Sequence, residues 1–308
     1  MVKVALLEYF GETVRPRLQA LAGEGLELLF CDDDSLEARA AILPDADYAV
    51  VRAVKMPASL LDHAPKLRMI HQWGTGTDGI PVQQALARGI MVARSPGRNA
   101  PSVADLTVGL MLAALRRICV GDARIRQGLW VEPDLYDTGR DLAGARVGLV
   151  GYGAIAKAVE RRLQGFDCTV LHSRNSGGMS LDQMIGQVDV LSLHAPYTPA
   201  TKHLINAERI ARMQRGTVII NTARGELIDE AALAAALHSG QIGAAGIDAF
   251  EVEPLPADAP LRHAPNTVFS AHSGGRTRDN FERIIRHWSG NIARHAADEA
   301  LDEGDLVR

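Results

Sequence analysis

The sequence predicts an α/β fold with two doubly wound parallel-sheet domains. Short apolar runs alternate with helix-like segments over residues 2–95, and the same alternation starts afresh at Arg146. Strand and helix in strict alternation are typical of a parallel sheet that helices cover on both faces. A chain of 308 residues is also long for a single core. Two series and this length together predict two domains.

The strands and helices can be placed in order. The strands of the first series are predicted at 2–8, 26–31, 47–53, 67–73 and 90–95. Those of the second are predicted at 146–151, 168–173, 188–194, 216–222, 244–250 and 267–272. Residues 99–128 have one long helical pattern, and a second such pattern runs over 278–301 with no strand after it. The final helix could therefore return to the first domain, which predicts one domain from 1–98 with 284–308 and an inserted domain from 99–283.

Composition argues against several classes of protein. The formal net charge is −4 with the two signs interspersed, so nucleic acid is not an expected partner. The N-terminus lacks a signal-peptide pattern and eighteen apolar residues never run uninterrupted, so no membrane segment is expected. The three cysteines are scattered without metal-ligand spacing, which favours reduced thiols in a cytoplasmic protein and no metal site.

A glycine-rich turn opens the second series. In "GLVGYGAIA", Gly151 and Gly153 follow a strand and Ala156 takes the third small position. Gly151 permits a tight turn, Gly153 lets a pyrophosphate approach the backbone, and Ala156 lets helix and strand pack closely. Such a turn alone can be purely structural, but here a helix and a second strand follow it. This order predicts a Rossmann domain that binds a dinucleotide.

The end of the next strand bears on the type of dinucleotide. An acid about 20 residues beyond the first glycine would bind the ribose 2′-hydroxyl of NAD, yet residues 168–181 contain no acid. Ser173 and Arg174 end the strand instead, and a hydroxyl with a guanidinium suits a 2′-phosphate. NADP is therefore favoured, with NAD as the alternative if Arg174 is only a solvated surface charge.

Several downstream segments together resemble one family. "VIINTARGELIDEAALAAAL", "AAGIDAFEVEPLP" and "TVFSAHSGG" resemble the signature segments of the D-isomer-specific 2-hydroxyacid dehydrogenases, and the likeness extends from about Asp47 to Thr277. Within the family the sequence is similar to the glyoxylate/hydroxypyruvate reductases. The resemblance implies a flavodoxin-like substrate domain, an active site in a cleft between the domains, and a homodimer formed through residues 99–130.

Three residues suit the reduction of a 2-oxo acid. Arg224, Glu253 and His272 lie at the ends of three successive predicted strands, where ligands bind in open α/β sheets. A guanidinium can hold a carboxylate and its neighbouring carbonyl in one plane, while an imidazolium supported by a carboxylate can protonate the ketone oxygen. Each residue alone could be an ion-pair partner or a loop residue. The resemblance implies the catalytic roles, and Glu253 argues against the formate dehydrogenase branch, which has glutamine there.

Substrate contacts are predicted in the first domain. Gly74, Thr75 and Gly76 follow the strand at 67–73, where their N–H groups could bind an α-carboxylate, although a plain turn is the alternative. The resemblance supports a carboxylate-binding loop at this position. Arg52 ends the strand at 47–53 and is either a second anion contact or a surface charge.

The resemblance implies further cofactor contacts. Beyond the two glycines, Ser173 and Arg174, they are Ala154, Ile155, Ala195, Pro196, Thr201, Thr222, Ala223 and Asp248. Members of the family usually carry proline before the catalytic histidine, whereas this chain has Ala271. The His272 loop is therefore expected to be slightly freer, with the chemistry unchanged.

The expected function is the reduction of a small 2-oxo acid, similar to glyoxylate or hydroxypyruvate, to the D-2-hydroxy acid with NAD(P)H. The alternative is a dinucleotide-sensing binding protein with little turnover, as in the corepressors of the family. Those proteins usually carry peptide-binding extensions, for which this chain has no room. A steady-state assay separates the two.

Overall fold

The computed structural model describes residues 1–130, 135–173 and 179–308. The chain divides into two compact units, one formed by Met1–Asn99 with Arg278–Arg308 and the other by Ala100–Thr277. The second boundary falls at 277/278 rather than at the expected 283/284, because the last helix starts at Arg278 and the whole helix belongs to the first unit.

The first unit is a five-stranded parallel sheet in the order β2-β1-β3-β4-β5. This is the flavodoxin-like order of the doubly wound folds. The strands are β1 (Val2–Leu6), β2 (Leu26–Phe30), β3 (Tyr48–Val51), β4 (Met69–Gln72) and β5 (Met91–Ala93). The helices are α1 (Arg15–Ala22), α2 (Leu36–Ile42), α3 (Val82–Ala87) and, after the second unit, α11 (Arg278–Ala296), with 3-10 turns at Leu43–Asp45, Ala58–His63 and Glu303–Asp305.

Helix α11 supplies one side of the first unit's core. Its buried apolar residues Ile284, Ile285, Trp288 and Ile292 lie on one face, because they recur at the helical spacing. They belong to the same buried cluster as Trp73, which directly follows β4. The sequence therefore predicted correctly that the tail is helical, and the packing shows which sheet it covers.

The second unit is a six-stranded parallel sheet in the order β11-β10-β9-β8-β6-β7. Its strands are β6 (Arg146–Val150), β7 (Thr169–Ser173), β8 (Val190–Leu193), β9 (Thr217–Asn221), β10 (Ile242–Ile247) and β11 (Thr267–Phe269). Its helices are α4 (Ala100–Leu115), α5 (Ile118–Arg126), α6 (Leu135–Thr138), α7 (Ala154–Leu163), α8 (Leu181–Met184), α9 (Ala207–Arg212) and α10 (Glu230–Ser239), with 3-10 turns at Gln164–Phe166, Gly225–Leu227 and Pro260–His263.

Both faces of the second sheet are buried. Along β9, Val218 and Ile220 pack into one apolar cluster while Ile219 packs into another on the opposite face. Continuous apolar strands of this kind are what a parallel sheet between two helical layers requires. The predicted fold class, two doubly wound parallel-sheet domains with one inserted in the other, is confirmed.

The long helical pattern at 99–128 is broken in the structure. Arg117 adopts a left-handed conformation with φ +50° and separates α4 from α5. The carbonyl of Leu115 accepts a hydrogen bond from the Arg140 N–H at 2.9 Å, so it does not continue the helical ladder. Periodicity alone could not show this, because both helices fall within one continuous helical pattern of the sequence.

Parallel strands bring their carboxyl ends to one edge of a sheet. In the second unit, the loops after β6, β8, β9, β10 and β11 therefore share an edge, and they contain most of the residues singled out by the sequence. Within the described ranges, no helix is long and apolar enough to cross a membrane.

Candidate active site

The glycine turn after β6 has the conformation that its residues require. Gly151 has φ +86°, and a Cβ there would lie 2.8 Å from the Ala195 nitrogen, so the position excludes any side chain. Gly153 caps helix α7 and is exposed, with no atom within 4 Å of where its Cβ would be. One glycine thus allows close packing between loops, and the other leaves the helix terminus open.

The start of α7 can accommodate an anion. Among the described residues, no side chain accepts a capping hydrogen bond from this helix, and the N–H groups of Ala154 and Ile155 have no protein partner. Ala156 is fully buried against the sheet and brings the helix close to β6. Free N–H groups and the positive end of the helix dipole favour phosphate, so this turn fits a pyrophosphate group.

The strand end that bears on cofactor choice is only partly described. Ser173 is buried, and its carbonyl accepts the Gly151 N–H at 2.8 Å. Arg174 lies outside the described residues. The structure therefore places Ser173 beside the glycine turn.

Sequence reasoning missed an acid near this strand end. Glu160 on α7 accepts hydrogen bonds from the Tyr152 hydroxyl and from His172, whose Nε2 lies 2.8 Å from Glu160 Oε1. These two hydrogen bonds hold the pKa of the Glu160 carboxyl below its usual range, and the bond from Tyr152 has the larger effect. Tyr152 precedes α7, which begins at Ala154, so helical spacing in the sequence did not indicate the contact. Glu160 is engaged within the protein.

The loop after β8 is held together by hydrogen bonds between its own residues. The Thr201 hydroxyl donates to the Pro196 carbonyl at 2.9 Å and accepts the Thr198 N–H at 2.7 Å. The Ala195 nitrogen lies next to Gly151, so this predicted cofactor residue adjoins the glycine turn. The Thr201 side chain shapes the loop.

The loop after β9 carries Arg224 in a defined conformation. Asn221, at the end of the strand, donates to the Arg224 carbonyl at 2.9 Å and accepts the Ala223 N–H at 3.0 Å. The Thr222 hydroxyl lies 2.9 Å from that of Thr107 on α4, so it too is engaged within the protein. Asn221 is a further positioning residue that the sequence did not reveal, because an Asn at a strand end has many possible roles.

Glu253 and His272 meet at the same edge of the sheet. His272 Nδ1 lies 2.8 Å from Glu253 Oε2 and 2.9 Å from Oε1, while Oε1 also accepts the Phe250 N–H at 3.0 Å. Because a carboxylate only accepts, Nδ1 carries a proton, and Nε2 remains for proton exchange with a ligand. The His272 side chain is 47% exposed, so a ligand can reach it.

Asp248 fastens the loop that carries His272. Its buried carboxylate accepts from the Ser270 hydroxyl at 2.5 Å, the Ser273 N–H at 2.8 Å and the Gly274 N–H at 2.9 Å. Its carbonyl accepts the His272 N–H at 2.8 Å. The cofactor contact predicted for Asp248 stays a prediction, whereas its hold on the loop is observed.

Gly225 joins the Arg224 loop to the Glu253 loop. A Cβ at this buried glycine would lie 1.8 Å from the Phe250 carbonyl carbon and 2.1 Å from the Glu251 nitrogen. Such an approach between two backbones is possible only for glycine. The loops of the three candidate catalytic residues are therefore packed as one piece of structure.

Other histidines of the second unit are less suited to proton transfer. Burial lowers the pKa of His194 to about 4, so this imidazole is neutral at neutral pH, and its Nε2 lies 2.9 Å from the Ser192 hydroxyl. His203 is paired with Glu251. Of these histidines, His272 combines exposure with a carboxylate at Nδ1. Within the described residues, no group of histidine, cysteine and acidic side chains could hold a metal ion.

The predicted substrate residues lie in the first unit. Arg52 donates through Nε to Glu8 at 2.7 Å, makes a second bond to the same carboxylate through Nη2, and stacks over Phe10 and Trp73. It is therefore an ion-pair partner, and its contact with substrate stays a prediction.

Loop 73–77 is hydrogen-bonded to Ser95, while several of its backbone N–H groups are available to a ligand. The Gly74 carbonyl accepts the Ser95 N–H at 2.8 Å, and the exposed Thr75 hydroxyl donates to the Ser95 carbonyl at 3.4 Å. In the part of the chain that the structure describes, the N–H groups of Gly74, Thr75 and Gly76 have no protein partner. The loop can therefore donate to an anion.

Fold and site together define an α/β protein with a glycine turn that fits a pyrophosphate and an exposed histidine paired with a carboxylate. Residues 108–274 match the family described as "D-isomer specific 2-hydroxyacid dehydrogenase, NAD binding domain". A hydroxypyruvate reductase of Thermotoga maritima is 38% identical over 79% of this chain and 82% of that protein. A D-3-phosphoglycerate dehydrogenase of Mycobacterium bovis is 34% identical over 88% of this chain but 53% of that protein.

Solved structures agree. The TT0316 protein of Thermus thermophilus superimposes with a TM-score of 0.87 at 32% identity, over all of both chains. The chain belongs to the D-isomer specific 2-hydroxyacid dehydrogenase family. It is a nicotinamide-dependent D-2-hydroxyacid dehydrogenase.

Proposed function

We propose that the enzyme reduces a small 2-oxo acid, glyoxylate or hydroxypyruvate, to the D-2-hydroxy acid and prefers NADPH. The observation that carries the reaction is the His272–Glu253 pair at 2.8 Å, at the sheet edge that also carries Arg224. Similarity to a hydroxypyruvate reductase supports this substrate class, while similarity to a phosphoglycerate dehydrogenase leaves a larger 2-hydroxy acid as the competing substrate.

In the proposed mechanism, the Arg224 guanidinium binds the substrate carboxylate and the adjacent carbonyl. His272 donates the Nε2 proton to the ketone oxygen, and Glu253 favours the charged imidazolium and fixes its orientation through Nδ1. The nicotinamide, when bound, supplies the hydride to the carbonyl carbon. Loop 73–77 would give the substrate carboxylate its N–H donors, and Arg52, which is paired with Glu8, is proposed as a further contact.

The cofactor is proposed to bind along the edge of the second sheet. Gly151, Gly153, Ala154 and Ile155 would receive the pyrophosphate, which the open terminus of α7 supports. Ser173 and Arg174 would receive the 2′-phosphate, which the lack of an acid over residues 168–181 supports. Asp248 would lie near the nicotinamide amide. The remaining proposed contacts would line the cofactor, namely Ala195, Pro196, Thr201, Thr222 and Ala223.

A homodimer is proposed to form through the segment that begins at α4. Large apolar side chains are exposed on and after α5, among them Ile118, Ile125, Leu129, Trp130 and Tyr136. Clustered exposed apolar residues commonly mark protein interfaces. The three cysteines are free thiols, which supports the proposed cytoplasmic location.

The experiment compares kcat/KM for glyoxylate, hydroxypyruvate and pyruvate with NADPH and with NADH, alongside oxidation of 3-phosphoglycerate. We expect glyoxylate or hydroxypyruvate with NADPH to be the best pair. Arg174→Ala should reduce the ratio of kcat/KM with NADPH to kcat/KM with NADH by about 10- to 150-fold. Its kcat/KM with NADH should be nearly unchanged, because the contact exists only with the phosphorylated ribose. Equal use of both cofactors by the wild type would contradict the cofactor assignment, and faster turnover of 3-phosphoglycerate would contradict the substrate class.

A further inference from the structure

A network of buried polar side chains joins the C-terminal tail to strand β4 in the first unit. The Asn291 amide donates to His71 Nε2 and to Asp305 Oδ2, both at 3.0 Å, and His287 Nε2 lies 3.1 Å from the same Asp305 oxygen. Because an amide nitrogen only donates, His71 Nε2 accepts, and its Nδ1–H donates to the Gln72 carbonyl at 2.9 Å. Burial lowers the pKa of His71 to about 3, so this arrangement persists at neutral pH.

The carboxylate of Asp305 is the anionic member of this network. Asp305 is 3% exposed, and a buried carboxylate is costly unless its oxygens are hydrogen-bonded. His287 and Asn291 both bond Oδ2 of this carboxylate, and both lie on α11. The network that holds the tail therefore includes residues of helix α11 and of strand β4, which are distant from each other in sequence.

The tail continues from this network onto the sheet. The Asp305 carbonyl accepts the Arg94 N–H at 2.8 Å, and Leu306 forms an antiparallel bridge with Ala93 at the end of β5. Val307 then donates to the Val92 carbonyl at 2.9 Å. The tail is thus paired with the edge strand, and Asp305 sets where that pairing begins.

The segment after β5 holds loop 73–77 directly. Ser95 donates its N–H to the Gly74 carbonyl at 2.8 Å, and Thr75 is bonded to the Ser95 carbonyl and to the Gly97 N–H, at 3.4 and 3.3 Å. One series of hydrogen bonds therefore leads from the tail, through residues 93–97, to the loop with the free N–H groups.

We propose that Asp305 is a positioning residue for substrate binding, which it serves by fixing the segment on which loop 73–77 rests. The inference rests on the proposed function, in which that loop binds the carboxylate of the 2-oxo acid. N–H groups that bind an anion must converge on it, and a displacement of about 1 Å can cost about 100-fold in catalytic efficiency. The Asp305 carboxylate acts through its hydrogen bonds to His287 and Asn291 and does not contact the substrate.

The test uses the full chain with NADPH and two variants, Asp305→Ala and Asp305→Asn. Oxalate is the probe, because it presents a carboxylate beside a second oxygen-bearing carbon and is not reduced. Its inhibition constant against glyoxylate is measured together with KM, kcat and the dissociation constant of NADPH. Glu303→Gln is the matched control, since Glu303 lies in the same tail and its exposed carboxylate pairs with Arg308 on the surface.

We expect Asp305→Ala to raise both KM for glyoxylate and the oxalate inhibition constant by at least about tenfold. Asp305→Asn keeps the shape and one acceptor oxygen, so its increase should be smaller. In both variants kcat and NADPH affinity should stay within about twofold of wild type, which general loss of structure would not produce. Glu303→Gln should match the wild type throughout.

Either folded variant with wild-type KM and oxalate inhibition would overturn the positioning role. If the wild type reduces 2-oxo acids but the oxalate inhibition constants of the Asp305 variants are unchanged, this inference alone is overturned. A wild type that neither reduces 2-oxo acids nor binds oxalate overturns the proposed function and the inference together.

Discussion

His272 adopts a left-handed backbone conformation with φ +46°, and the Asp248 carboxylate fastens the loop around it. For a residue with a side chain this conformation costs about 1–2 kcal/mol, and it persists only where the surroundings hold it. Ala271 precedes the histidine and leaves the backbone freer than proline would. The bonds from Ser270, Ser273 and Gly274 to Asp248 supply the restraint instead.

Glu253→Gln should lower the rate of reduction. The Glu253 carboxylate accepts from His272 Nδ1 at 2.8 Å, and glutamine replaces this charge-assisted hydrogen bond by a neutral one. A hydrogen bond to a charged group contributes about 1.5–3 kcal/mol, so kcat/KM should fall by about tenfold or more. The measurement is kcat/KM for hydroxypyruvate with NADPH.

Glu251→Gln is the matched control for this variant, since Glu251 lies in the same loop but pairs with His203. Its kcat/KM should remain close to that of the wild type. A wild-type kcat/KM in Glu253→Gln would mean that Glu253 has no influence on the proton donor.

For single residues, the sequence predicts which side chains lie near one another better than it predicts the hydrogen bonds that they form. Glu253 and His272 could be expected near each other, because they follow strands whose carboxyl ends share an edge. The role of Asp248 could not be predicted, since two of its partners are backbone N–H groups. Which backbone groups face a carboxylate depends on loop conformation, and residue type does not specify that.

At the scale of elements, the carboxyl edge of the second sheet depends on close contacts between loops. Alternation of apolar runs predicted the strands of both sheets, because a parallel strand is buried on both faces and leaves a strong pattern. The break of the α4–α5 pattern at Arg117 and the contact of Gly225 with the backbone at Phe250 left no such pattern. Both depend on segments that come together only in three dimensions.

Gly225→Ala should destabilise the second unit and impair catalysis together. The added methyl would lie 1.8 Å from the Phe250 carbonyl carbon, so the backbone that leads to Glu253 must move. Forced packing of this kind costs about 1–3 kcal/mol or more. We expect the free energy of unfolding, measured by urea denaturation, to fall by at least that amount and kcat to fall with it.

Gly165→Ala provides the comparison, because nothing lies within 4 Å of that position and its φ is not positive. It should leave both the stability and kcat near their wild-type values. If Gly225→Ala were equally harmless, the two loops would not be held against each other as described.

At the scale of the whole molecule, the sequence predicts two sheets more readily than it predicts their boundaries. The absence of a strand after residue 278 indicated that the final helix could return to the first unit, where α11 packs. The pairing of the tail with β5 and the buried network around Asp305 were not predicted. Isolated polar residues near a chain end carry no periodic signal from which burial can be read.

The proposed function depends on proton donation by His272, and His272→Asn tests it most directly. Reduction of hydroxypyruvate by NADPH should fall by about 100- to 10,000-fold in kcat, because general acid catalysis is lost. The dissociation constant of NADPH should be unchanged, since the glycine turn is intact. His263→Asn, at an exposed histidine whose Nε2 lies 3.2 Å from the Ala257 carbonyl, should behave as wild type. Wild-type kcat in the His272→Asn variant would contradict the assignment of this histidine as the proton donor.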